Sequence, residues 1–194
     1  MLGLRLLLCA AVVFGLLGFG FPAEASPKSL LDGLSPSHVD GVRNPNVLTD
    51  GVQAPKGHGW NTELSAILTS KSAYIEFDLG GVKPIDSAYL QGDNNDTYVV
   101  SVSTDGKSYR ELWAAPPDDK PGMRSRSTSG LGGQARYVRV TARGGDGSYA
   151  LTELQVFSTK PKPFPPKVQS REGTIAPARV RNALLMFGVT LAAF

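Results

Sequence analysis

The sequence predicts an all-β domain, a sandwich or barrel. Three observations predict it. Apolar residues in the body alternate with a period of two, not 3.6. Turn signals cut the chain at short intervals, helped by 22 glycines and 14 prolines. No stretch between them has the periodicity of a helix. Hydrophobic content of 41% against 19% charged is that of a globular chain and excludes a wholly disordered one.

Residues 1–25 read as an export signal. Arg5 supplies a short positive region, residues 6–21 are apolar, and Ala23-Glu24-Ala25 places small residues where a signal peptidase reads them. Cleavage would leave Ser26 first; an uncleaved membrane anchor is the competing reading. Cys9 does not mark a lipoprotein signal, because Leu8 precedes it where a small residue is expected. Residues 26–44 are expected to be an N-terminal linker.

The body spans residues 45–158. Ala73, Ile75, Phe77 and Leu79 alternate with Tyr74, Glu76 and Asp78, the pattern of a half-buried strand ended by Gly80-Gly81. Residues 85–91 read as the next strand, closed by Gly92-Asp93-Asn94-Asn95-Asp96. Residues 98–103 and 108–113 flank Asp105-Gly106, a hairpin signal in which both central residues are expected at positive φ. Residues 135–142 and 151–157 are the last two strands. About 120 residues suffice for a sandwich core.

Residues 159–182 form a basic, proline-rich linker. Lys160-Pro161-Lys162-Pro163-Phe164-Pro165-Pro166-Lys167 is expected to be an extended spacer, since proline cannot donate to a ladder. Residues 183–194 are apolar apart from Thr190. Twelve residues are fewer than the roughly 20 that cross a bilayer. They read as the start of a transmembrane helix, an interfacial helix or a disordered tail. Arg179 and Arg181 on the N-terminal flank oppose the first reading by the positive-inside rule.

Charge and composition exclude several functions. Residues 26–158 carry 13 Lys and Arg against 15 Asp and Glu, whereas residues 159–194 carry six against one. The basic balance therefore belongs to the tail, and the body has no electrostatic footprint for nucleic acid. The single cysteine leaves the body without a disulfide, a thiolate nucleophile or a cysteine metal site. Two histidines, His38 and His58, cannot build a His-rich zinc centre. An exported domain without disulfides suggests a bacterial protein. Gly144-Gly145-Asp146-Gly147-Ser148-Tyr149 reads as a loop between two strands, not a phosphate-binding turn.

Five segments in order resemble one family. They are Leu48-Thr49-Asp50-Gly51 with Trp60; residues 74–80 ending in Asp-Leu-Gly; residues 98–103 with Asp105-Gly106 and Tyr109; residues 135–140; and residues 151–157. Together they resemble the discoidin family, the C-type domain of coagulation factors, among the galactose-binding-like β-sandwiches. The resemblance covers residues 45–158. It implies an eight-stranded jelly roll that binds sugars, anionic lipid head groups or proteins and does not catalyse, as in bacterial carbohydrate-binding modules.

The resemblance also implies a structural calcium ion held by Asp50 and Glu153. Backbone carbonyls near Leu48 and Pro55 would complete its six to eight oxygen ligands. His58 stands where the family usually has threonine. The bland reading is a solvated turn aspartate and an exposed strand glutamate.

Gln91, Asp93, Asn94, Asn95 and Asp96 form the candidate ligand loop, because planar amides and carboxylates match adjacent sugar hydroxyls. Asn and Asp also fill ordinary turns, and a second calcium is a further reading. Arg124 and Arg126 in a polar loop are candidate anion clamps; solvated arginines are the alternative. Arg136 and Arg139 are expected to be structural, packing their stems over the sheet or pairing with strand carboxylates. Trp60, Tyr98 and Tyr149 offer ring faces, with a core role favoured for Trp60. Glycoside hydrolysis needs two carboxylates at a set spacing, one with a raised pKa; Asp93 and Asp96 in an open loop do not suggest it. Two functions remain in competition. One is an exported carbohydrate-binding module. The other is a protein-binding adhesion or sensory ectodomain of a longer membrane protein.

Overall fold

The structure is a computed structural model that describes residues 26–173. The expected export signal, residues 1–25, and the apolar segment 183–194 lie outside the described residues. The described residues hold ten strands: β1 His38–Asp40, β2 Val42–Arg43, β3 Val52–Gln53, β4 Ala66–Leu68, β5 Tyr74–Gly92, β6 Asp96–Ser103, β7 Arg110–Ala115, β8 Arg124–Gly144, β9 Tyr149–Phe157 and β10 Gln169–Ser170. One 3-10 turn, Pro45–Thr49, separates β2 from β3. Among the described residues no helix is long and apolar enough to cross a membrane.

Eight strands form one antiparallel network in the order β2-β4-β9-β5-β8-β6-β7, with β1 on β5. The two long strands, β5 and β8, build both layers of a jelly-roll sandwich. The first part of β5 pairs Ile75 with Val140 and Phe77 with Val138, while its last part pairs Leu90 with Arg126 and also with Leu154 of β9. Register shifts between Asp78 and Lys83 and between Ile85 and Ser87 mark where β5 bends from one layer to the other. The strand therefore continues through Gly80-Gly81, which bends it and does not end it, although the alternation of burial is lost over residues 80–84.

The core is built mainly from the inward residues of β5, β6, β8 and β9: Ile75, Phe77, Leu90, Tyr98, Val100, Val102, Val138, Val140, Leu151, Leu154 and Val156 are buried. A second, smaller cluster holds Ala54, Leu64 and Met123, with half-buried Trp60 against it.

Both expected linkers differ from expectation. Residues 26–44 belong to the domain. Leu31 is fully buried, Leu30 N–H donates to Val156 O at 2.8 Å, and β1 and β2 pair with β5 and β4. Apolar Leu30, Leu31 and Leu34 give this segment a face to bury, which a linker lacks. The proline-rich segment lies against the domain and is not a free spacer. Ser26 Oγ donates to Lys162 O, and beyond the prolines β10 pairs in parallel with β3.

The Asp105-Gly106 turn also differs. Gly106 has φ 73°, but Asp105 stays out of the positive-φ region. Asp105 Oδ1 accepts the N–H groups of Lys107 and Ser108, each at 2.9 Å, and Ser103 Oγ at 2.8 Å. A side-chain-bonded loop with one left-handed residue replaces the two-residue hairpin.

Candidate functional site

The loops at the end of the sandwich where β5 passes into β6 are bonded to one another. Asn94 is the hinge of this network. Its carbonyl accepts Asp118 N–H at 2.7 Å, its Nδ2 donates to Asp118 O at 3.3 Å, and its Oδ1 accepts Gly122 N–H at 3.1 Å. The next contact joins residues 121–123 to residues 57–58: Gly57 N–H donates to Met123 O and Met123 N–H to His58 O, both at 2.9 Å.

The expected polar loop at Arg124 and Arg126 is the start of β8. Both arginines are enclosed, at 9% and 8% exposure. Arg126 donates from Nε to Pro116 O, from Nη1 to Gly92 O and Arg124 O, and from Nη2 to Asp93 O and Asn94 O, over 2.7–3.2 Å. A guanidinium has five N–H groups, so each is matched by a carbonyl. Its plane also lies over the Tyr98 ring, 5.6 Å from the centroid. Arg126 is the post around which the ligand-candidate loop is wound, not a free anion clamp. Arg124 is less committed: Nε donates to Lys120 O at 2.9 Å and Nη2 to Pro121 O at 2.6 Å.

The remaining loop candidates divide. Gln91 is 1% exposed; its Nε2 donates to Ala54 O at 2.9 Å and its Oε1 accepts Thr152 Oγ1 at 2.5 Å. Asp93 is nearly buried, and Asp96 is completely so. The expected open loop is therefore closed over its carboxylates. Burial, then the charges of Asp93 and Asp146, push the Asp96 carboxyl up to about 6. Asn94 and Asn95 are half-exposed.

Tyr98 and Tyr149 are buried and present no ring face. The Tyr98 hydroxyl lies 3.1 Å from Asp96 Oδ2 and 2.8 Å from Ala150 O, and accepts the Asp93 and Ala150 N–H groups. Sequence reasoning missed that Asp96 shares this face. It stands two residues before Tyr98 and four before Val100, on the inward register of β6.

Asp50 and Glu153 lie at the β9 side of the domain. Glu153 is 1% exposed, and its Oε2 is buried without a partner. Gln155 Nε2 donates to its other oxygen at 3.0 Å. Burial pushes the Glu153 carboxyl up to about 8, and the charges of Asp50 and Asp32 add to this. Asp50 Oδ1 accepts Val52 N–H at 2.9 Å. A cavity of about 310 Å³ beside Glu153 is lined by Asp32, Thr49, Lys28, Lys167 and the proline-rich segment. The one unpartnered oxygen of Glu153 is what a hard cation would use, but Lys28 and Lys167 line the same cavity, and among the described residues no three His, Cys, Asp or Glu side chains gather as a metal cluster. Glu153 is thus an enclosed strand residue, not an exposed one.

The two remaining arginine candidates pair as expected on the outer face. Arg136 makes a bidentate contact with Asp78, at 3.0 and 2.9 Å. Arg139 donates to Glu76 Oε2 from Nε at 3.1 Å and Nη2 at 2.7 Å, sandwiched between the rings of Tyr74 and Tyr109.

An antiparallel jelly roll with its polar groups locked at the loop ends defines the class of domain. The chain belongs to the F5/8 type C domain family, whose model matches residues 34–154. Comparison with curated proteins gave no match. Among solved structures, the chain is similar to a fucose binding module of Streptococcus pneumoniae, with 17% identity and TM-score 0.49, over 68% of this chain and 96% of that one. It is also similar to a module of Clostridium perfringens described in complex with GalNAc-β-1,3-galactose, with 22% identity and TM-score 0.44, over 63% and 91%. A third similarity is to a protein described as SpGH29, with 20% identity and TM-score 0.45. There the match covers 68% of this chain and 28% of the other's length.

Proposed function

We propose that this chain is a non-catalytic binding module that recognises carbohydrate outside the cytoplasm, in a bacterial cell, exported by residues 1–25 and attached to the membrane through residues 183–194. The observation that supports it most is the loop network around Asn94. A binding surface that is bonded in place before ligand arrives loses little freedom on association. Family membership gives the direction, since discoidin-like domains bind and do not catalyse.

The groups that face outward at this end are the natural contacts. Asn94, Asn95 and Trp60 are half-exposed, and Arg124, enclosed at 9% exposure, leaves Nη1 outside its two carbonyl bonds. Gln91, Asp96 and Arg126 act behind them by holding the loops. Calcium, in this reading, sits at Asp50 and Glu153 with backbone carbonyls. Its chemistry is electrostatic: it neutralises buried carboxylate and ties the 3-10 turn to β9.

A glycan array probed with the labelled chain tests the function. Binding to a defined glycan, lost in Trp60→Ala or Arg124→Gln while folding is kept, supports it. No response on any glycan, with capture of a cell-surface protein, would move the chain to the adhesion reading.

A further inference from the structure

The match to the family model ends at residue 154, yet the chain stays on the domain as far as Gly173. After β9 it runs back along the surface. Lys162 O accepts the Ser26 hydroxyl, and Pro163 and Pro166 wall the cavity beside Glu153. Then β10 pairs in parallel with β3, and Arg171 N–H donates to Gln53 O at 3.1 Å. Prolines suit the first part of this path. They hold the backbone extended and bring no N–H that would need a partner. Strand pairing begins only after Pro166.

The segment ends on the loop that carries Trp60. Gly173 O lies 3.2 Å from His58 Nε2, and Glu172 Oε2 lies 3.6 Å from Nδ1. A carbonyl only accepts, so Nε2 carries the hydrogen of this contact. Gly173 itself is closely seated. A Cβ there would stand 3.0 Å from the Thr62 side chain and 3.1 Å from Leu64 Cδ1. From His58 the bonds run on. Its carbonyl accepts Met123 N–H at 2.9 Å, and the neighbouring Gly122 N–H donates to Asn94 Oδ1 at 3.1 Å. The tail is thus linked, bond by bond, to the loop end of the sandwich.

Its docking is shallow. Of residues 167–173 only Val168 and Gly173 are half-buried, and the rest are exposed. The strand β10 is two residues long. Segments with few buried contacts and exposed backbone bonds open at far less cost than a core. The tail therefore has two arrangements, docked and released, while the sandwich stays folded.

We infer that residues 158–173 are a releasable strap that braces the His58–Trp60 loop, so that a pull or a partner on the chain beyond Gly173 reaches the loop end of the domain. Such coupling is reciprocal. Releasing the strap loosens the loop, and weakening the loop's hold frees the strap. The strap does not depend on the carbohydrate reading, because both effects are read without a ligand.

Amide hydrogen exchange of the full chain, resolved by NMR, tests both directions. Arg171→Pro removes the N–H bonded to Gln53 O, and Gly173→Leu overfills the seat against Thr62 and Leu64. Both changes lie outside the sandwich, so either variant decides. The amides of Gly57, His58 and Met123 are bonded in the parent, to Met123 O, Pro55 O and His58 O. In the strap variants they should exchange about tenfold faster or more, while β6 and β9 keep the parent's rates. In His58→Phe, which keeps a ring and loses both nitrogens, the Arg171 amide should accelerate in turn. The proposal is overturned by an unprotected Arg171 amide in the parent, or by parent rates at Gly57 and Met123 in the strap variants. It is equally overturned by a parent rate at Arg171 in His58→Phe. Acceleration spread evenly over β6 and β9 would also overturn it, since the tail would then be a general stabiliser and not a strap.

Discussion

Arg126 Nη2 stands 2.7 Å from the carbonyl oxygen of Asp93, across 33 residues of chain. The contact explains how a run of Asp and Asn becomes a fixed surface. Carbonyls of Gly92, Asp93 and Asn94 all point inward at one guanidinium, so the side chains of the turn are placed by a residue of another strand. Lysine has three donors on a flexible stem and cannot replace the planar fork.

Arg126→Lys should therefore destabilise the domain. Unsatisfied buried carbonyls cost about 1–3 kcal/mol each, and partial replacement by lysine or water brings the expected loss to about 2–4 kcal/mol. Urea denaturation measures it. A midpoint equal to the parent's would show that the carbonyls do not need the guanidinium.

Asp105 gives a pH prediction. Backbone N–H bonds from Ser108 and Lys107 and the Ser103 hydroxyl lower its carboxyl from 3.8 to about 2. A carboxyl lowered in the folded state adds stability above the unfolded pKa, and that stability is lost as pH falls through the folded one. The loss should thus run from about pH 4 down to about pH 2. Carbon-13 NMR of the Asp105 carboxyl checks it directly; a midpoint near 3.8 in the folded chain would refute the hydrogen-bonded loop.

Gly106 is tested in the same turn. At φ +73° an alanine is strained, and its Cβ would lie 3.1 Å from the Tyr137 ring. Left-handed backbone costs an L-residue roughly 1–2 kcal/mol. Gly106→Ala should lower the denaturation midpoint by that free energy, and an unchanged midpoint would mean the turn relaxes freely.

The strands were legible because one rule, alternation, survives tertiary context. Residues 73–79 read correctly as a strand for that reason; residues 151–157 are a strand too, but one buried at nearly every position, where alternation gives no signal. The linkers were less legible. Leu30, Leu31 and Leu34 are too few to show a period, and only pairing with β5 and β9 buries them. The loop end was the least legible. Asp and Asn in sequence describe both an exposed turn and a buried one, and the difference here is Arg126, whose place beside Leu90 is set by register. Arg124 and Arg126 alternate with exposed Ser125 and Ser127, so the same period-two rule did mark an inward face. Two charges on that face disguised it.

Export makes a separate prediction. Ala23-Glu24-Ala25 should be cut to leave Ser26 as the first residue. Ser26 Oγ is bonded to Lys162 O, so a mature terminus would start on the folded surface. Mass spectrometry of the secreted chain checks it, and Met1 retained in exported protein would rule cleavage out.

Glu153 carries the last prediction. Its Oε2 is buried and unpartnered while its other oxygen is held by Gln155. Two outcomes follow if calcium resides there with Asp50. In calcium the parent should melt higher than in chelator, because an ion bound only by the folded state adds about 2.7 kcal/mol at a hundredfold excess over its Kd. Glu153→Gln removes the charge at nearly constant shape, so it should gain much less from calcium while melting in chelator no lower than the parent. The second outcome separates a metal ligand from a merely structural carboxylate. A structural glutamate would weaken both curves equally on substitution, whereas a ligand loses only the calcium-dependent part. Asp50→Asn should follow the same pattern, since its Oδ1 bond to Val52 N–H can be kept by the amide oxygen. Identical melting of the parent in calcium and in chelator would exclude the ion.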